Sequence, residues 1–209
     1  MFCWYAKCVQ SVAELPFVAG HVALDFVNTA EQRGHPDAGD SLRTVNDLRL
    51  WGLRRGVLSS AADGDAGLLE LPAALEAREL LYQVFLDRAG GRGVPDADRA
   101  RLSGLAARAY QAARLDQEPD GRLDWSWDPA QLATVRHVAV ATAVRLLGDQ
   151  GPVARLRQCP GDHCGWFFLD STKRGNRRWC SMSECGQEAK TARRRARSGS
   201  RRDARADQA

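Results

Sequence analysis

With 209 residues, 44% of them apolar, the chain has room for one medium domain with an appendage or for two modest domains, and its composition is that of a globular protein. No stretch approaches the roughly 20 apolar residues that span a bilayer. The opening MFCWYAKCVQ carries Lys7 inside its most apolar part, which makes a poor secretory signal. A cytoplasmic location with reduced thiols is the expectation, so paired cysteines read as metal ligands before disulfides. The formal net charge of +4 hides an asymmetry: residues 1–150 hold 16 Lys and Arg against 20 Asp and Glu, whereas residues 151–209 hold 14 against 6. The basic end is a candidate nucleic-acid footprint. Only Lys7, Lys173 and Lys190 are lysines among 30 basic residues, so arginine preference runs through the whole chain. The clustering carries the signal; the choice of arginine does not.

The first two-thirds read mainly as helix. His21 to Asn28 (HVALDFVN) is a compact apolar segment with Leu24 and Val27 on one helical face. Val45 to Arg55 follows, with Leu48, Trp51 and Leu53 and a stop at Gly56. Residues 59–67 (SSAADGDAG) are a loop by composition. Pro72 suits the first turn of a helix that carries Leu75, Leu80, Leu81, Val84 and Phe85 and closes at Gly90-Gly91. Pro95 to Arg114 forms another, with Leu102, Leu105, Ala109 and Ala112 inward. The period then changes. Pro119-Asp120-Gly121 is a turn, and Leu123, Trp125 and Trp127 alternate with Asp124 and Ser126, which predicts a β-hairpin with one buried face. Asp128 and Pro129 suit the start of a long central helix with Leu132, Val135, Val138, Ala139, Ala143, Leu146 and Leu147. Gly148 and Gly151-Pro152 end it.

Four cysteines follow: Cys159, Cys164, Cys180 and Cys185, two C-x4-C pairs fifteen residues apart. Two close thiol pairs across a short spacer suit one tetrahedral zinc, and four thiolates leave no position for a substrate water, so the ion is expected to be structural. Cys159-Pro-Gly-Asp-His-Cys164 is a tight turn; His163 is an alternative ligand to Cys164. Trp166 to Leu169 reads as a strand turned at Lys173-Arg174-Gly175-Asn176, with Arg177 to Cys180 returning toward the metal. A helix starting near Ser181 to Glu184 would carry Cys185 in its first turn, where amide dipoles favour thiolate. Knuckle, hairpin and helix make a treble-clef arrangement. A module of about 30 residues buries too little to fold alone, and zinc binding, on the order of 10–16 kcal/mol in finger peptides, supplies what is missing. Cys3 and Cys8 share the spacing but have no second pair nearby. The fold class is mainly α: a helical domain with a small β-hairpin over 13–150, a four-cysteine zinc finger with a basic helix over 151–197, and a disordered tail over 198–209.

These residues resemble the bacterial CGNR zinc-finger proteins, also described as stress-induced transcription regulators. The likeness rests on Cys159 and Cys164, on Arg178-Trp179-Cys180-Ser181-Met182, on Cys185-Gly186, and on Lys190 with the arginines after it. Gly20 to Thr29 (GHVALDFVNT) and Asp47-Leu48 with Trp51 and Gly56 resemble the family's helical part. One departure stands out: Cys-Gly-Asn-Arg is here Cys185-Gly186-Gln187-Glu188, so any phosphate contact by the motif arginine is absent. The resemblance implies a transcription regulator.

Lys190, Arg193, Arg194 and Arg197 follow helical spacing and share one face, while Lys173, Arg174, Arg177 and Arg178 precede them. Together they could reach about eight phosphates of duplex DNA, with Ser183, Glu184, Gln187 and Lys190 as candidate base readers. A solvated basic tail is the alternative. Trp166, Phe167, Phe168 and Trp179 suit a small core better than a base-stacking surface. His21, Asp25 and Asn28 could line a ligand site for an effector, although such residues also cap and tie helices. No nucleophile motif or phosphate loop appears, so an enzyme is not expected. Besides a zinc-dependent DNA-binding regulator, the sequence admits a zinc-stapled protein adaptor and a redox-sensitive thiol–zinc switch.

Overall fold

In the computed structural model, residues 10–33, 38–62, 69–162 and 164–206 are described, with 197–206 as backbone alone. A short buried helix, α1 (Val22–Val27), lies at the centre. Its Ala23, Leu24, Phe26 and Val27 are all essentially inaccessible to solvent. The remaining helices pack around it: α2 (Val45–Arg54), α3 (Glu70–Ala89), α4 (Asp96–Gln111) and α5 (Thr134–Gly148), followed by the single turn α6 (Gln150–Val153). α2 is opened by a capping box in which Thr44 and Asp47 satisfy each other's amides. It delivers Trp51 onto Phe26 and Phe17 in edge-on contacts at 5.4 and 6.1 Å. α5 begins later than Asp128-Pro129 suggests, because residues 128–134 form a turn in which Asp128 O accepts from Gln131 N–H and the Thr134 hydroxyl. Between α1 and α2, β1 (Ala30–Glu31) pairs antiparallel with β2 (Gly39–Asp40). Arg78 of α3 reaches this ladder from below. It is 4% exposed, forks onto both oxygens of Asp40 at 2.8 and 2.5 Å, and also donates to Thr29 Oγ1 at 3.0 Å.

Expectations from the sequence are corrected in two regions, the hairpin with the end of α4 and the strands beside the cysteines. The expected hairpin forms from β3 (Arg114–Gln117) and β4 (Leu123–Ser126), with Leu115 opposite Trp125. Its apolar face is not buried: Leu115, Leu123 and Trp125 are 51%, 62% and 41% exposed. Tyr110 and Trp127 provide the attachment, with rings 6.1 Å apart and the Trp127 indole donating to Ala109 O at 2.7 Å. Ala112, expected to face inward on α4, is exposed just beyond its end. The second correction concerns strand pairing beside the cysteines. β6 (Phe167–Leu169) does not turn back to pair with Arg177–Cys180; it pairs antiparallel with β5 (Leu156–Gln158), the strand that leads into Cys159.

The hydrophobic core runs without a break from the helices into the cysteine region, since Phe167 and Phe168 are fully buried with Phe85, Leu81 and Leu24. Phe167 stacks obliquely against Tyr82 and Phe85 of α3 at 5.4 and 6.0 Å. Asn28, at the end of α1, makes the polar half of this junction. Its Nδ2 donates to Phe167 O at 2.8 Å and its Oδ1 accepts from Phe167 N–H at 2.9 Å. One side-chain amide thus stands in for a neighbouring strand along β6. Leu169 N–H adds a bond to Ala19 O at 2.9 Å.

After a π-helical turn (Met182–Gly186), α7 (Gln187–Ala206) runs on as one helix. It includes residues 198–206 of the segment expected to be a disordered tail; residues 207–209 of that segment lie outside the described residues. Asn28 is 3% exposed and Phe167 is fully buried. Replacing Asn28 by Ala strands two buried backbone groups and is expected to lower unfolding free energy by about 2–5 kcal/mol in denaturant titrations. Asn28→Asp is expected to be no milder, because a carboxylate oxygen would replace the donor facing Phe167 O. Stability equal to the parent in either variant would mean that the junction does not hold the two parts together.

Candidate metal centre and basic surface

The cysteine cluster is built by two turns that close on each other. β5 ends at Gln158, Cys159 N–H donates to Trp166 O at 2.7 Å, and the chain between forms a knuckle closed by Cys164 N–H to Gly161 O at 3.1 Å. Gly165 leaves the knuckle at φ +68°, a conformation costly for any side chain-bearing residue, and so redirects the chain into β6. A Cβ on Gly161 would lie 3.1 Å from Cys164 Cβ and 3.3 Å from Cys185 Sγ, so the second turn packs directly on the first. That second turn is the π-helical one, closed by Gly186 N–H to Ser181 O at 3.1 Å.

The four sulfurs all lie within 4.8 Å of one another. Cys180 Sγ is 3.4 Å from Cys164 Sγ and 3.7 Å from Cys185 Sγ. These separations are far beyond the roughly 2.05 Å of a disulfide. They match the edge of about 3.8 Å expected for a tetrahedron with zinc–sulfur bonds of about 2.3 Å. Cys159, Cys180 and Cys185 are buried and Cys164 is half-buried. Cys180 N–H points at Cys159 Sγ at 3.5 Å, a bond that supports negative charge on that sulfur. Hydrogen bonding from Cys164 holds the Cys159 thiol well below the usual thiol range, while sharing a proton with Cys159 pushes Cys164 and Cys180 far up. Four thiolates at this spacing require a cation. The donor set and the spacing fit one zinc ion, held by Cys159, Cys164, Cys180 and Cys185 in a closed structural site. His163, the alternative ligand, lies outside the described residues, as do Cys3, Cys8 and His35.

Around the zinc site two side chains weld the loop that carries Cys180. Asp170 is fully buried and accepts from Thr172 Oγ1 at 2.5 Å, Thr172 N–H at 2.9 Å and Arg177 N–H at 3.0 Å. The Thr172 hydroxyl and these amides hold its carboxyl below the usual range. Arg177 donates to Val18 O, Trp179 O and Cys180 O at 2.9, 3.0 and 2.5 Å, and its guanidinium lies 4.3 Å over the Phe168 ring. This arginine is therefore taken up by the fold and is removed from the set of phosphate contacts that the sequence suggested. Lys173, Arg174 and Arg178 are exposed on the same loop. On α7, Lys190, Arg193 and Arg194 are exposed on consecutive turns, and Arg197 continues the helix as backbone. Trp166, Phe167 and Phe168 are core, not a stacking surface.

His21, Asp25 and Asn28 do not come together as a ligand site. His21 Nδ1 caps α1 by accepting from Ala23 N–H at 3.3 Å, and burial followed by the charge of Arg55 lowers its pKa, which keeps that nitrogen free to accept. Asp25 accepts from Ala19 N–H and Arg55 Nε, both at 3.1 Å; burial raises its pKa against those two partners. Asn28 is spent on Phe167. None of the three lines the cleft of about 30 Å³ beside the cysteines, which has room for one water, or the groove of about 430 Å³ between α3 and α4. Among the described residues, no helix is long and apolar enough to cross a membrane.

Two family models match the chain. One, described as "putative stress-induced transcription regulator", covers residues 20–150; the other, a CGNR zinc finger, covers residues 155–198. No curated protein gives a significant match. One zinc per chain is the expected result of metal analysis on the purified protein. Cys180→Ser removes the sulfur closest to two of the others. It is expected to lose most of the metal, to drop the thermal midpoint by more than about 10 °C, and to lose near-ultraviolet Trp signal. Full metal retention by that variant would move the site elsewhere.

Proposed function

The chain belongs to the family of stress-induced transcription regulators whose helical part is followed by a CGNR zinc finger, and on that footing we propose that it acts on duplex DNA through the basic surface beside the zinc site. The observation that carries this reading is the mounting of α7. The helix emerges from the turn that holds Cys185, so its direction is set by the metal, and its side chains from Lys190 to Ala196 are solvent-exposed. Lys173, Arg174 and Arg178 stand exposed on the loop just before Cys180. Such a surface suits phosphate contact, which supplies affinity and register; base readout falls to the π-helical turn and the start of α7, where Ser183 and Gln187 are exposed and Glu184 is half-buried. Gln187 and Glu188 replace the usual Asn-Arg, so the weight of phosphate binding shifts to the later turns. In this reading the chain is not an enzyme: four sulfurs close the coordination sphere, and the zinc serves position alone.

Binding of a duplex by the zinc-loaded full chain should weaken steeply with salt. A slope of about −0.9 per phosphate contacted predicts roughly −6 in log–log form for the seven remaining basic residues. Changing Lys190, Arg193, Arg194 and Arg197 together to alanine should flatten that slope by about 3–4. Affinity should also fall by more than about tenfold at moderate salt. Unchanged affinity and slope in that variant would exclude α7 as the contact. Loss of all duplex affinity at moderate salt in the parent chain would favour the zinc-stapled adaptor instead.

A further inference from the structure

The β3–β4 hairpin exposes what its sequence is patterned to bury. Leu115, Gln117, Leu123 and Trp125 share one face, and its three apolar members are 41–62% exposed. β3 is also the outer strand: all four of its residues are exposed, whereas Asp124 and Ser126 of β4 are half-buried and Asp124 is anchored by Arg145 of α5 at 2.6 Å. Among the described residues the sheet has two strands, and the outer edge of β3 pairs with no other strand. The direction of its free backbone groups follows from the ladder. Glu118 N–H donates to Arg122 O at 2.7 Å, so alternation turns the amides of Asp116 and Arg114 toward β4 and those of Leu115 and Gln117 outward. An open edge with outward amides pairs readily with another strand.

The charges on β3 say which strand fits. We propose that the outer edge of β3 pairs antiparallel with the same edge of a second copy of the chain, about a two-fold axis through Leu115. In that register Leu115 faces its own copy as a hydrogen-bonded pair. Arg114 faces the partner copy's Asp116 on the opposite side of the sheet, twice by symmetry. Side chains are closest at such non-hydrogen-bonded positions, which favours the Arg–Asp pairs. A shift by one residue would set Arg114 against Leu115 and is not self-complementary. Within one chain, Asp116 Oδ2 already accepts from Ser126 Oγ at 2.5 Å and lies 3.5 Å from Arg114 Nε, which leaves Oδ1 for the second copy. On the other face, Leu115, Trp125 and Leu123 would join their counterparts in one apolar stripe across four strands. The contact is smaller than the roughly 800 Å² per partner of a standard interface, so pairing is weak and reversible. It is independent of whether the chain contacts DNA.

Sedimentation velocity of the zinc-loaded full chain, from about 1 µM to about 0.5 mM, tests the proposal without DNA. The parent chain shifts from monomer to dimer across that range. Arg114→Asp places Asp against Asp twice and raises the dissociation constant by about tenfold or more. Asp116→Arg does the same with Arg against Arg. The double variant Arg114→Asp/Asp116→Arg restores the pairing and brings the constant back to within about threefold of the parent. Asp116 also serves Ser126 in its own hairpin, whereas among the described residues the Arg114 side chain pairs with Asp116 alone, so Arg114→Asp keeps the test decisive if Asp116→Arg disturbs the strand. A chain that stays monomeric throughout overturns the proposal. So does a dimer that Arg114→Asp leaves unchanged, or a folded double variant that does not recover.

Discussion

Four sulfurs brought within 4.8 Å of one another cannot all carry charge without a cation among them, and that requirement governs the C-terminal part of the molecule. Neither turn that supplies the sulfurs has enough apolar surface to hold itself. The knuckle of Cys159 to Cys164 depends on Gly161 lying against Cys185, and the π-helical turn of Cys185 depends on the knuckle in return. A zinc ion converts that mutual dependence into a single rigid element. Four sulfurs fill the coordination sphere of such an ion and leave no open position on it.

The zinc element is not an independent finger hung on a helical body. Asn28 closes both backbone bonds of Phe167, Leu169 bonds Ala19, and Arg177 reaches Val18, so the segment from Val18 to Asn28 is clamped against β6 and the Cys180 loop. Tyr82 and Phe85 complete the contact from α3. Any rearrangement of α1 or α3 therefore reaches the base of α7 through packed groups and not through a linker. This is the physical sense in which a helical regulatory part and a zinc finger, matched by two separate family models over residues 20–150 and 155–198, act as one body.

Local features were legible in the sequence. The cysteine spacing, the stop of α2 at Gly56, the turn at Pro119-Asp120-Gly121 and the glycine stop of α3 each depend on neighbours a few residues away, and each appears as expected. Long-range choices were not. β6 pairs with β5 because the knuckle brings Gln158 beside Phe167, and the short run Leu156–Gln158 has no alternation that announces a strand. Arg177 looks like one more member of a basic cluster until its four carbonyl partners and the Phe168 ring are seen around it. Asn28 and Asp25 could serve as ligand groups but read more readily as ties, and the positions of β6 and Arg55 show what they tie. Arg78, buried beneath Asp40, gave no signal at all, since a lone arginine on a helix face is ordinarily solvated.

Hydrogen exchange on the full chain, before and after zinc is removed by a chelator, tests most directly whether the metal staples one continuous core. The account predicts that chelation strips protection from β5, β6 and the Cys180 loop and also from Phe26 to Thr29 at the end of α1, while α4 and α5 keep theirs. Protection lost only between Cys159 and Gly186, with Phe26 to Thr29 unchanged, would contradict it.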